Sequence, residues 1–293
     1  MEILWGTIAL RPYVFIFLAV YLLGAGAQFG LRITVSFMII GYFISFLSEL
    51  SSIHTGIPYG HYFYIPSTAH RELWVLGVPL MDSLSFVFLS ACSYSTAILL
   101  LSPVVKGKTG WSLVETTGGL HRTLIAFLGG LLMVLLDVTI DPVALRGRRW
   151  FLGQIFGYST QGDYFGVPLS NFIGWAIVGW ILVGSLWALR RLLGGGRLMP
   201  RQWPLISWSA WWGAALYICI LGFNVAIAFY IGEITLGLCS LFLSLLLLTV
   251  GGSLIYYKLS FPLRGTLSSM NEGCHPQRGP KSKRPSGPSS RAS

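Results

Sequence analysis

Runs of about 20 mostly apolar residues, the length an α-helix needs to cross the hydrocarbon core of a bilayer, recur along this chain and leave little room for a soluble fold. They fall near residues 12–30, 33–48, 74–101, 123–141, 168–189, 211–231 and 234–257. Short polar connections separate them, which is the pattern of one bundle rather than of a soluble domain with an anchor. Composition agrees: of 293 residues, 54% are hydrophobic and 10% charged, against roughly 25% charged in an ordinary soluble domain. The expected fold class is all-α, a polytopic transmembrane helical bundle of about seven spans over residues 1–260.

A net charge of +10 invites a nucleic-acid reading, but the basic residues cluster at the ends of apolar runs and near the C-terminus rather than along one soluble face. That arrangement orients a membrane protein and implies no nucleic-acid partner. With the C-terminus inside, fifteen Lys and Arg residues lie inside and five outside, namely Arg11, Arg71, Arg146, Arg148 and Arg149. The expectation is a multi-pass protein of the cell membrane with a cytoplasmic C-terminus. Residues 261–293 are rich in Ser, Pro, Gly, Arg and Lys and are expected to form a basic, disordered cytoplasmic tail. The first eleven residues lack a basic leader and the apolar run after them has no clear cleavage site, so the N-terminus is expected to be retained. Cys92, Cys219, Cys239 and Cys274 show no CxxC spacing, so no disulfide framework or zinc site is expected.

Asp137 and Asp141 are the sharpest chemical feature, because residues four apart on a helix share a face. Two carboxylates in lipid are costly, so at least one is expected to hold a proton near neutral pH, and the pair is a candidate proton donor. Pro142 disfavours helix through Asp141 and places that carboxyl near a helix end. The alternative is that the pair binds Arg146, Arg148 or Arg149 and fixes the helix end. A second group is Glu49, an acid at the end of the second span, followed by His54, Tyr59, His61, Tyr62 and Tyr64 in a glycine-punctuated segment. Such a segment suits a re-entrant cavity whose aromatic faces stack on a polyene or stabilise a cation; an interfacial aromatic belt is the plainer account. Tyr164, Asn171 and Trp175 form a third group after a Gly-Val-Pro turn. There Asn171 is placed either to orient a water or to bond another helix. Asp82 is a lone acid in the third span without an evident neighbour, and Glu233 is expected to be structural, at the turn between the last two spans.

The five histidines do not form the HxxxH and HxxHH clusters of membrane di-iron enzymes, so no metal is expected. A dinucleotide fingerprint, a P-loop and a GxSxG elbow are all lacking, and no cofactor is expected.

The order of these groups resembles the bacterial and archaeal carotenoid hydratases, which include the 1',2'-hydratases of monocyclic carotenoids and the bisanhydrobacterioruberin hydratases. Glu49, Thr55-Gly56 and Tyr59-Gly60-His61-Tyr62-Phe63-Tyr64 are similar to that family's Glu, Thr-Gly and Phe-Gly-x-Tyr-x-Tyr. Gly77-Val78-Pro79-Leu80 matches its Gly-Val-Pro, and Asp137 to Pro142 its Asp-x-x-x-Asp-Pro. Trp150, Tyr164, Gly166, Pro168, Asn171, Gly174 and Trp175 fall where its Trp, Tyr-x-Gly-x-Pro and Asn-x-x-Gly-Trp fall. The resemblance covers about residues 40–190; Tyr59 replaces Phe, and Asp82-Ser83 with Phe86 replace an expected Pro-Leu and Trp. It implies a carotenoid substrate, association with membrane lipids and with other enzymes of the pathway, and cofactor-free hydration of a terminal C=C to a tertiary alcohol. Asp137, Asp141 and Glu49 would then exchange protons, while His54, Tyr59, His61, Tyr62, Tyr64, Asp82, Tyr164, Asn171 and Trp175 would hold substrate. The rival readings are a proton-driven polyene cyclase or isomerase, and a lipid or ion transporter. A transporter would suit an inverted repeat, and the chain shows no convincing one.

Overall fold

A backbone in hydrocarbon has no water to bond its N–H and C=O groups, so each crossing must satisfy them within itself, as an α-helix does. The computed structural model describes residues 2–107, 110–115, 119–194 and 201–262. Among them are eight α-helices, of which seven are long and apolar enough to span a membrane. The expected tail lies, from residue 263 onward, outside the described residues.

A short helix, α1 (Glu2–Leu10), leads through Arg11 into α2 (Pro12–Phe29), with Pro12 in the first turn, where its missing N–H costs nothing. After Gly30 the chain reverses into α3 (Leu31–Thr55), which ends at Gly56 in the left-handed conformation (φ 79°) that glycine adopts without strain. A strand β1 (Tyr62–Tyr64) and a tight hairpin of β2 (Trp74–Val75) and β3 (Val78–Pro79) precede α4 (Leu80–Leu101). Two further strands, β4 (Val104–Gly107) and β5 (Gly110–Glu115), lead to α5 (Gly119–Ala144). Then follow β6 (Phe156–Tyr158), α6 (Leu169–Leu193), β7 (Arg201–Pro204), α7 (Trp208–Tyr230) and α8 (Ile234–Ser260).

The seven spans stand where the apolar runs put them, with three differences of extent. The second span runs to Thr55 rather than ending near residue 48, so Glu49 lies inside a helix and not at its end. Ser48, Glu49, Ser51 and Ser52 interrupt the hydropathy but not the helix, because Ser48 bonds back to the Ser45 carbonyl and Glu49 faces a partner in the bundle. The third span begins at Leu80, since Trp74 and Pro79 pair across the hairpin that precedes it. The fourth continues through Pro142 to Ala144. Pro142 sits in its last turn, where the helix gives up one internal bond and still closes Leu145 N–H on the Asp141 carbonyl at 2.9 Å.

α4 is the hub of the bundle. In its most apolar stretch 78% of residues are buried, against 22% in α8, which packs against α7 and turns its other face outward. Small and hydroxyl residues such as Ser83, Ser90, Ala91, Ser93 and Ala97 let neighbours approach α4 closely. The odd number of crossings sorts the connections onto two ends. One end holds the α3–α4 and α5–α6 connections, which meet where β1 pairs antiparallel with β6. At the other, β4, β5 and β7 form a three-stranded sheet, and Lys258 near the end of α8 donates to the Leu99 and Ser102 carbonyls at the end of α4.

The sheet end is tied together by polar side chains. Arg190 of α6 donates to Glu115 of β5 (2.5 Å) and to the Tyr94 hydroxyl of α4 (2.7 Å), and its guanidinium lies 4.7 Å over the Phe29 ring. Gln28 of α2 accepts through its side-chain oxygen from Ser95 of α4 and from the indole N–H of Trp212 of α7, both at 2.7 Å. An ion pair this buried destabilises strongly when one member is removed, because the other charge remains without a partner. Glu115→Gln is expected to cost ~3–5 kcal/mol and to lower the melting temperature in detergent. A melting temperature equal to that of the unaltered chain would show that Arg190 does not depend on Glu115.

Candidate functional site

The end of the bundle where β1 meets β6 encloses a partly open cavity of about 150 Å³. Its walls come from α2, α3, α4, α5, α6 and α7 and from the two long connections. The Pro58–Tyr59 turn closes against α6 because residue 174 is glycine: a Cβ there would stand 2.7 Å from the Pro58 carbonyl oxygen and 2.6 Å from the Tyr59 ring.

One wall carries the paired acids. Asp137 and Asp141 both point inward from α5 and are 0% and 7% exposed. Asn171, in the first turn of α6, donates from one amide nitrogen to Asp137 Oδ2 (2.7 Å) and Asp141 Oδ2 (2.9 Å). Tyr158 of β6 donates its hydroxyl to the same Asp141 oxygen at 2.5 Å. Asp141, Asn171 and Tyr158 line the cavity; Asp137 stands behind them, its Oδ1 buried and without a partner among the described residues. The alternative in which neighbouring arginines hold the pair does not describe this geometry. Arg146 donates instead to the Pro142 and Phe165 carbonyls (both 2.9 Å) and pairs with Glu233, and Arg149 also pairs with Glu233. No cation lies within ion-pair distance of either aspartate among the described residues. Glu233 thus stands at the α7–α8 turn, as the sequence suggested, and ties that turn to the α5–α6 connection.

On the wall formed by α3 and α4, Glu49 is buried and accepts a hydrogen bond from the Ser83 hydroxyl. Asp82, one residue earlier, is not the isolated acid expected from sequence. It pairs with Arg11 at 2.6 Å, and Arg11 also holds Glu72 at 2.8 Å, which in turn accepts from Thr68. Burial opposes the charge on Arg11, but Asp82 and then Glu72 outweigh it, so the guanidinium pKa is raised and the group stays charged. The partner was not visible in sequence because it lies 71 residues away, at the start of α2.

Aromatic rings complete the cavity. Phe86 of α4 and Trp175 of α6 stack with centroids 4.4 Å apart and planes 17° apart, and Tyr59, hydrogen-bonded to Ser48 at 2.9 Å, tilts against both. The β1–β6 register sets Tyr62 opposite Tyr158 and Tyr64 opposite Phe156. Alternation along β1 turns Tyr62 and Tyr64 inward and Phe63 outward, where it is 49% exposed. Of the expected site residues, Glu49, Tyr59, Tyr62, Tyr64, Asp82, Asp141, Asn171 and Trp175 line the cavity. His54 and His61 are exposed, and Tyr164 packs on Phe165 and Phe172 away from the cavity lining. Sequence reasoning overlooked Tyr158, Phe156, Ser83 and Arg11. The available signal was a repeated aromatic-x-Tyr unit, Tyr62-Phe63-Tyr64 and Phe156-Gly157-Tyr158, in the two long connections. No three His, Cys, Asp or Glu side chains converge as a metal-ligand set among the described residues.

The arrangement sets one acid, Asp141, and a separate acid, Glu49, at a partly open space walled by aromatic faces. That is the equipment for moving protons to and from an apolar, unsaturated molecule. No curated protein and no solved structure matches the chain. A family model described as "Carotenoid biosynthesis protein" matches residues 3–247, a stretch that takes in nearly all of α1, α2 to α7, about half of α8 and every wall of the cavity. The chain therefore belongs to the carotenoid biosynthesis protein family, and its role is in the making of carotenoids.

Proposed function

We propose that the protein is a hydratase that adds water across the terminal C=C of an acyclic carotenoid end group. The observation that carries this reading is the Asp141 carboxyl, hydrogen-bonded by Tyr158 and Asn171, backed by Asp137, facing an aromatic cavity and paired with no cation among the described residues. Two carboxyl groups that share one amide donor and lack a cation hold a proton between them, which makes the pair an acid. The O–H bond of Asp141 breaks as the proton joins the less substituted alkene carbon, and the neighbouring carbon becomes a tertiary cation. The stacked Phe86 and Trp175 faces, with Tyr59 and Tyr62, stabilise that cation by the ring quadrupole. Water adds its oxygen to the cation, and Glu49 takes the released proton, leaving a tertiary alcohol. Bonds and charges balance with no oxidant, reductant or cofactor.

Asp137 plays a different part from Asp141 in this scheme. It lies outside the cavity lining and acts through the proton and the Asn171 donor that it shares with Asp141, so it positions and tunes Asp141 rather than touching substrate. Asp82 is occupied by Arg11, so it shapes the wall and transfers no proton.

The bundle end that carries this site is opposite the end at which α8 finishes. We also propose, from the basic bias of the sequence, that the C-terminus is cytoplasmic, which sets the cavity in the outer half of the membrane. A reporter active only in the cytoplasm is expected to work when fused after residue 262 and to fail when fused ahead of α1. The reverse pattern would invert the orientation.

Expressed in a bacterium that accumulates acyclic-ended carotenoids, the protein is expected to yield a pigment heavier by one water. Asp141→Asn should reduce that product by ~10²-fold or more, the usual contribution of a positioned acid, and Asp137→Asn should also depress it. A pigment of unchanged mass but altered absorption would replace hydration by isomerisation or cyclisation. Unaltered pigments across several substrates would remove the enzymatic reading of the cavity. Trp175→Leu tests the cation wall: loss of ~1–2 kcal/mol of cation–π stabilisation predicts a rate lower by about tenfold, whereas an undiminished rate would show that the ring serves only packing.

A further inference from the structure

Hydration by two separate acids leaves the protein in the wrong state for a second turnover. Asp141 ends without its proton, and Glu49 ends with one too many. The cavity is walled by the bundle, so the imbalance must be reversed inside it or by exchange with bulk water. The β1–β6 pair runs between the two acids. At one end the Tyr158 hydroxyl bonds Asp141 Oδ2 at 2.5 Å. Tyr62 stands directly across the strand pair from Tyr158, ring centroids 6.3 Å apart, and Tyr64 follows at 5.4 Å from Tyr62. All three line the cavity together with Glu49.

We infer that Tyr64, Tyr62 and Tyr158 form a relay that carries the proton from Glu49 back to Asp141 after each hydration. The inference rests on the hydratase reading. In each step one phenol accepts a proton on its oxygen and releases its own to the next acceptor, with a further water molecule, distinct from the one consumed in hydration, bridging gaps between hydroxyls. The last step forms the Asp141 O–H bond and leaves Glu49 an anion, so atoms and charge close over the cycle. Burial, with Asp141 adding to it at Tyr158 and Glu49 at Tyr62 and Tyr64, pushes all three phenols above their ordinary range. They therefore stay protonated and pass a proton by exchange rather than by ionising. Strand pairing supplies the spacing: alternate residues on one face of a strand, and directly opposed residues across it, put three hydroxyl-bearing rings in sequence. These residues act through Glu49 and Asp141 and are relay residues, distinct from the acids that meet the alkene.

The relay separates the first turnover from the later ones. The full chain in lipid nanodiscs, loaded with an acyclic-ended carotenoid, would be followed by rapid quench and mass detection of the hydrated product. Tyr62→Phe and Tyr158→Phe keep the rings and remove the hydroxyls. Each removes a hydroxyl that also borders the reacting acids, so the reference for later turnovers is the variant's own burst and not the first turnover of the unaltered protein. Each is expected to give a burst of one hydrated end per protein molecule, and then later turnovers slower than that burst by ~10–10²-fold, the scale of a lost proton-transfer group. Imidazole or formate, small enough to carry a proton into the cavity, should restore the later turnovers of the variants and leave the unaltered protein as it was. The burst amplitude itself reports the folded fraction. Equal slowing of first and later turnovers without rescue would make the tyrosines structural and overturn the relay, and unchanged later turnovers would show that bulk water resets the acids. If the unaltered protein forms no hydrated product, the hydratase reading falls and takes the relay with it; a product without the burst in the variants overturns the relay alone.

Discussion

A carboxyl group inside a membrane bundle needs a cation, a proton or hydrogen-bond donors, because hydrocarbon offers nothing else. The protein meets that demand in two ways, and the division organises the structure. Glu72 and Asp82 share Arg11, Glu115 takes Arg190, and Glu233 takes Arg146 and Arg149. These pairs tie α2 to the β2–β3 region, β5 to α6, and the α7–α8 turn to the α5–α6 connection. Three buried acids have no such cation among the described residues: Glu49, Asp137 and Asp141. Two of them line the cavity, the third stands directly behind it, and all three are held by neutral donors, Ser83, Asn171 and Tyr158. Acids paired with arginine tie the frame together, and the proposed chemistry draws on the acids without it.

How far the sequence revealed this division depended on distance along the chain. Asp137 and Asp141 could be placed on one face because helical period alone relates residues four apart. The seven crossings were legible from apolar length, and Asn171 and Trp175 from their position just after the turn that starts α6. Asp82 read as solitary because its partner, Arg11, belongs to a different span, and no local pattern links them. Tyr158 and Phe156 escaped for a related reason: β1 and β6 lie nearly a hundred residues apart, and neither three-residue strand is long enough to announce itself. His54 and His61 drew attention by residue type, yet both are exposed, His54 in the last turn of α3 and His61 just ahead of β1.

Pro142 shows how a local rule and a tertiary demand are reconciled. The ring forbids one backbone bond and disfavours helix in the residue before it, yet the helix continues through Asp141 for another turn. The position near the C-terminus keeps the loss small. What is gained is register: Asp141 stays one turn from Asp137, so a single amide nitrogen of Asn171 reaches both carboxyls. Had the helix ended at Ile140, Asp141 would have left the shared face and the pair would have become two separate acids.

The location of the cavity follows from the same economy of partners. An apolar polyene dissolves in the bilayer and water does not, so the proposed hydratase site, which would join them, suits the place where the bundle approaches the interface. The acids sit near the ends of their helices, Glu49 two turns from the end of α3 and Asp141 three residues from the end of α5, and the long connections fold over them. Those connections supply hydroxyl-bearing rings at the level where backbone must leave the helix and pair as strands to keep its own hydrogen bonds satisfied. The β1–β6 pair thus satisfies its own backbone at the end of the bundle, apart from any use the proposed chemistry makes of it. The two-stranded ribbon sets Tyr62, Tyr64 and Tyr158 side by side along the cavity at this end of the bundle.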